Sequence, residues 1–148
     1  MTFIIKQGTL CDLLHIENDI PEFISPKSVD AIRAKIDAHK HVLFVAYIEG
    51  KPVAYKLGYE KQSRLFYSWL GAVLPDYRGL GIAKSLLLHQ EAYAKREGYQ
   101  IIEVKSMNRF KRMLQMLIAY DYHIIGCARL DDNSDSKITF RKKSSLLF

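Results

Sequence analysis

The chain has 148 residues, 49% hydrophobic and 26% charged, a balance that excludes disorder and fits a single domain over 1–148 with a complete core. Lys and Arg outnumber Asp and Glu by 22 to 16, and the formal charge of +6 favours an anionic partner such as nucleic acid, anionic lipid or a phosphorylated cofactor. Cys11 and Cys127 have no metal-ligand spacing, and the longest apolar run, 42–48, is far below the ~20 residues of a spanning helix, so the expectation is a cytoplasmic protein with no membrane partner and no metal.

Phe3-Ile4-Ile5 reads as a strand, and Thr9 with Asp12 three residues on reads as the N-terminus of a helix carrying Leu10, Leu13 and Leu14. Asn18-Asp19-Ile20-Pro21-Glu22-Phe23 interrupts it. Ser25-Pro26 then offers a cap and a first-turn proline for a second helix with Val29, Ile32 and Ile36 on one stripe. Residues 42–48 and 53–59 are two β-rich runs around Glu49-Gly50-Lys51-Pro52, which predicts a hairpin. A further strand covers 65–73 and stops at Leu74-Pro75. Ile82, Ala83, Leu86, Leu87 and Ala94 give a helix of about five turns closing at Gly98. Residues 101–105 are a buried-type strand, and Asn108 is placed to cap a helix with Phe110, Met113, Leu114, Leu117 and Ile118. Strands over 122–129 and 137–141 complete a mixed α/β chain with one parallel crossover.

The chemistry concentrates at Val73-Leu74-Pro75-Asp76-Tyr77-Arg78-Gly79-Leu80-Gly81-Ile82-Ala83, where a strand enters a helix through two glycines. Free amides and the positive end of the helix dipole suit a diphosphate, the glycines let it approach, and Arg78 adds a cation. A plain strand-to-helix turn would look similar.

The spacing Arg78-x-x-Gly81-x-Ala83, with its lead-in Val73-x-Pro75-x-Tyr77-Arg78-Gly79, resembles the pyrophosphate signature of the Gcn5-related N-acetyltransferase (GNAT) superfamily, and the element order resembles it over most of the chain. The resemblance implies a mostly antiparallel sheet and acetyl-CoA as co-substrate. It implies that Ala72 and Val73 meet the pantetheine arm and acyl carbonyl, and that Arg78, Gly79, Leu80, Gly81, Ile82, Ala83 and Lys84 hold the pyrophosphate. Asn108 is a further cofactor contact or only a helix cap. The implied reaction is direct attack of a primary amine, on a small molecule or peptide, in a ternary complex.

Glu60 and Tyr67 are the candidate bases by position. The tyrosine that the family often uses to protonate the thiolate is missing, since Gln115 or Leu117 falls there, and Tyr120 is either the substitute or packing at the helix end. Trp69, with Tyr55, Tyr59 and Tyr67, could wall the acceptor or simply pack the sheet. Glu22, more than Asp19, is the acid placed to face the amine, or both acids only solvate the loop or cap a helix. Lys105, Arg109, Lys111 and Arg112 form a basic cluster near the expected 3′-phosphate, and Arg141-Lys142-Lys143 reads as a charged tail.

Two other readings fail on the residues. A dinucleotide fold lacks its third glycine, since Lys84 stands there, and nucleic-acid motifs are missing. A GNAT domain that binds acyl-CoA as a sensor without turnover stays open, as does a homodimer.

Overall fold

In the computed structural model the described residues are 2–20, 29–131 and 134–143. Glu22, Ser25 and Pro26 lie outside them. The elements are β1 (Ile4–Gln7), α1 (Leu10–Asn18), α2 (Val29–Ala38), β2 (His41–Ile48), β3 (Lys51–Gln62), β4 (Leu65–Val73), a 3-10 turn (Pro75–Tyr77), α3 (Ile82–Arg96), β5 (Ile101–Met107), α4 (Lys111–Ala119), β6 (His123–Arg129) and β7 (Ser136–Lys143). One seven-stranded sheet runs in the order β1-β2-β3-β4-β5-β7-β6. Among the described residues β4 and β5 pair in parallel, and the pairs β1–β2, β2–β3, β5–β7 and β6–β7 are antiparallel, so the sheet is mostly antiparallel.

The chain divides into two compact units, Met1–Glu60 with Trp69–Gln90 and Lys61–Ser68 with Glu91–Phe148. In the first, Thr9 caps α1 by a reciprocal box with Asp12, and Leu13 and Ile16 become fully buried. Each such aliphatic burial contributes about 1.5–3 kcal/mol. Tyr55 of β3 donates to the buried Glu17 of α1 at 2.5 Å, so the phenol is held well above its usual range, by burial first and by Glu17 second. The β2–β3 turn is shorter than expected. Glu49 and Gly50 both have positive φ, which a two-residue hairpin of type I′ needs, and Lys51 and Pro52 already belong to β3. Pro52 is accommodated because the register shifts there: Ala46 faces Ala54 while Tyr47 faces Pro52.

In the second unit, Phe66 packs edge-on to Tyr93 at 5.6 Å and against Tyr99 at 5.3 Å. Glu91 of α3 accepts from Tyr122 at 2.8 Å and from Lys142 at 3.1 Å, all three buried. Arg141-Lys142-Lys143 is therefore strand, not a charged tail, and Lys142 is part of the core. The α3 helix starts at Ile82 and has 15 residues, so it makes roughly four turns instead of five. Gly98, at φ 84°, ends it where Tyr99 N donates to Ala94 O.

Candidate functional site

The end of β4 and the start of α3 lie in the first unit. Ala72 and Val73 are half-buried, the 3-10 turn reverses the chain, and residues 78–81 stand exposed ahead of the helix. Gly79 and Gly81 have φ of 80° and 83°, a region that side-chain-bearing residues avoid. A Cβ built on either would meet nothing within 4 Å. The glycines thus bare their backbone to open space, as approach by a bulky anion requires. Gly81 O accepts the amide of Ser85, which makes Gly81 the last residue before the helix and puts Ile82, Ala83 and Lys84 in its first turn, where backbone amides point outward along the axis. Ala83, expected on the apolar stripe, is exposed in this first turn, while Ile82, Leu86 and Leu87 are buried and anchor the helix. Leu80 is also exposed. Arg78 Nε donates to Val73 O at 3.1 Å, which ties the guanidinium to the strand end and occupies that carbonyl. The residues fit a diphosphate at 78–84.

Glu60 is half-buried at the end of the first unit's portion of β3, where its amide donates to Lys40 O at 2.8 Å. Trp69 is half-buried and meets Tyr59 edge-on at 5.6 Å. Tyr55 and Tyr59 are core residues, so an aromatic acceptor wall shrinks to Trp69 in this unit.

The second unit holds the other candidates. The parallel ladder runs only from Leu65 opposite Ile101 to Ser68 opposite Val104, although β4 continues to Val73 and β5 to Met107. Tyr67 is half-buried, with the Lys61 and Lys105 ammonium groups 5.3 and 5.6 Å from its ring centre. Asn108 does not cap α4. That helix begins at Lys111 with Phe110 at the cap position, and Asn108 sits in the preceding turn, where its amide donates to Ser136 O at 2.9 Å and its Oδ1 accepts from Lys111 at 3.2 Å. Arg109 pairs with Asp135 at 3.0 Å, so the basic cluster is partly neutralised. On α4, Gln115 is exposed and Leu117 fully buried, whereas Tyr120 is half-buried just past the helix end.

Sequence inspection missed the role of Glu103. It is buried and accepts from Lys61 at 2.8 Å and from Arg141 at 3.0 Å. Burial pushes its carboxyl up, but the two cations outweigh that and hold it below the ordinary value. The signal available was an acid set among Ile101, Ile102 and Val104. Among the described residues no three His, Cys, Asp or Glu side chains gather as a metal site, and no helix is long and apolar enough to cross a membrane. Both cysteines are exposed free thiols.

The sequence pattern of the Acetyltransferase (GNAT) family matches residues 10–114. The chain belongs to the GNAT acetyltransferase family. Among curated proteins no sequence matches. The GNAT fold is shared with solved acetyltransferases. The ribosomal-protein-S18-alanine N-acetyltransferase from Escherichia coli superposes with a TM-score of 0.83 at 16% identity, over 96% of this chain and 94% of that one. An N-acetyltransferase from Staphylococcus aureus Mu50 gives 0.81 at 16% identity, over 97% and 99%. A GNAT phosphinothricin acetyltransferase from Sinorhizobium meliloti, solved in complex with AcCoA, gives 0.80 at 17% identity, over 97% and 89%.

Proposed function

We propose that this GNAT protein is an N-acetyltransferase that moves an acetyl group from acetyl-CoA to the primary amine of a small molecule or peptide, by direct attack in a ternary complex. The observation that carries the reading is the exposed Gly79–Gly81 backbone, open to space at the start of α3. Matches along nearly the whole of several solved acetyltransferases support taking 1–148 as one working domain.

Acetyl-CoA, when bound, supplies an activated thioester. The amides of 79–84, with the helix dipole behind them, hold the diphosphate, and Arg78 adds charge that Val73 O keeps in position. The Val73 amide is assigned to the acyl carbonyl, where it steadies the charge that develops on oxygen. An alkylammonium with pKa near ~10 must lose a proton before attack, and Glu60 is the first candidate to take it, with Tyr67 the second. Tyr120 is assigned to the departing thiolate, a modest duty because a thiol of pKa around ~8.5 leaves well unaided.

The test is thiol release from acetyl-CoA against amines grouped as amino acids, polyamines, aminoglycosides and peptide N-termini, alongside calorimetric binding of acetyl-CoA. Binding with turnover of at least one group is expected. Tight binding with no turnover in any group would make the protein a sensor, and absent binding would overturn the reading altogether.

A further inference from the structure

The two faces of the sheet in the second unit differ sharply. The α3 helix covers one, where Phe66 meets Tyr93 and Lys142 meets Glu91. Ile102, Val104, Ser106 and Phe140 are buried there. The alternate residues point to the other face. Tyr67 stands opposite Glu103, and Glu103 stands opposite Arg141, so the three form one row across β4, β5 and β7. Lys105 comes one step along β5, opposite Thr139. Tyr67, Lys105 and Arg141 are all half-buried, so this face is partly open.

The charge on that row does not balance. Lys61 and Arg141 share a single buried carboxylate, Glu103, at 2.8 and 2.9 Å. Among the described residues Lys105 has the Tyr67 ring and no carboxylate partner, and its ammonium lies on the same ring as that of Lys61. Among the described residues, two cations therefore share one anion, and a third stands beside them on the Tyr67 ring. Such convergence opposes folding unless an added negative group relieves it, and clustered like charge at an open face is what an anion site needs. The side chains of Lys61 and Arg141 are 37% and 40% exposed, so both can bond a ligand while Glu103 fixes their stems.

We propose that Lys61 and Lys105 at Tyr67, with Arg141 at Glu103, form an anion subsite, and that the acceptor amine carries a carboxylate or phosphate group that this subsite holds. The inference rests on the acetyltransfer reading and narrows its acceptor. Glu103 at the centre of the row argues for a compact anion bridging the three cations. A polyanion lying across the row would run over a fixed carboxylate.

The test is a titration of the 15N-labelled full chain at low salt, reading backbone amide shifts. The probes are inorganic phosphate, O-phosphoethanolamine and, as the control that keeps the ammonium and lacks the anion, ethanolamine. Phosphate and O-phosphoethanolamine should give saturable shifts at Tyr67, Lys105 and Arg141 that ethanolamine does not. Lys105→Gln should weaken O-phosphoethanolamine binding about tenfold, the loss expected of one charge-assisted contact. No saturable shift at these amides, equal shifts with ethanolamine, or an unchanged affinity in Lys105→Gln would overturn the proposal. Titration with CoA and dephospho-CoA separates a second source of phosphate. If CoA moves the same amides and dephospho-CoA does not, the cluster serves the 3′-phosphate of the cofactor and the acceptor proposal falls. Shifts at 79–84 with acetyl-CoA report the acetyltransfer reading separately, so each idea can fail in the same spectra without the other's result being mistaken for it.

Discussion

Gly81 at φ 83° combines two demands that a substitution would separate: a backbone shape that side chains resist, and open space where a side chain would stand. An alanine there meets no atom in the protein, so its steric effect falls on whatever approaches the loop, while its backbone strain costs about 1–2 kcal/mol. Gly81→Ala is expected to lower acetyl-CoA affinity at least tenfold by calorimetry and to lower the melting temperature by only a few degrees. Unchanged affinity in the folded variant would remove the loop from the cofactor site. This residue was legible in the sequence because glycine spacing after a strand states a local backbone requirement. Asn108 was not, since its side chain bonds Lys111 while the helix is capped by Phe110 without a side-chain bond. A cap residue two positions early looks the same in a string of letters. Glu103 was legible only as an odd acid in a strand, because its partners Lys61 and Arg141 come from distant parts of the chain.

At the scale of elements, α1 shows how much of the fold local chemistry can announce. Thr9 Oγ1 accepts the Asp12 amide at 3.2 Å, and Asp12 returns a bond to the Thr9 amide at 3.1 Å. Tyr47 of β2 adds a third contact, donating to Asp12 at 2.6 Å, and its phenol is pushed up to about 12 by burial and by that carboxylate. Thr9→Ala removes one arm of the box and should cost about 1 kcal/mol of stability. Thermal unfolding should show the loss, and acetyl-CoA affinity should stay unchanged. A Thr9→Ala protein as stable as the parent would mean that Tyr47 alone holds the helix start. The α3 helix marks the limit of such reading. Its periodic Leu86, Leu87 and Ala94 announce a buried stripe, but Gln90 and Glu91 are buried too. Glu91 is explained by Lys142, 51 residues away, a pairing that no local pattern encodes. The element order could be read because each helix and strand carries its own period and punctuation. The β7 strand was misjudged because three consecutive basic residues resemble a solvated tail until their alternate partners, Glu103 and Glu91, are in place.

For the molecule as a whole, the excess of 22 Lys and Arg over 16 Asp and Glu means that every carboxylate neutralised by acid adds to a positive charge that already resists compaction. Asp12, Glu103 and Asp135 are each held below their ordinary values in the folded state. For Glu103, burial acts upward and the bonds from Lys61 and Arg141 prevail; for Asp135, the Ser136 amide is the leading cause and the Arg109 guanidinium adds to it. A depressed folded value means that the unfolded chain takes up protons first as the pH falls, so the stability these groups confer is complete above the unfolded carboxylate value and is lost as the pH drops through the folded one. With reference values of 3.8 for the aspartates and 4.5 for Glu103, the loss begins near pH 4.5 and deepens below it. Glu103→Gln leaves Lys61 and Arg141 without their shared carboxylate at neutral pH, and it also removes the proton that Glu103 would gain in acid. The variant should therefore be less stable than the parent at pH 7, by urea unfolding, and the gap should close steadily between pH 4.5 and 3. A gap that stays constant across that range would show that the ionised carboxylate contributes nothing beyond its shape, and that Lys61 and Arg141 are tolerated for another reason.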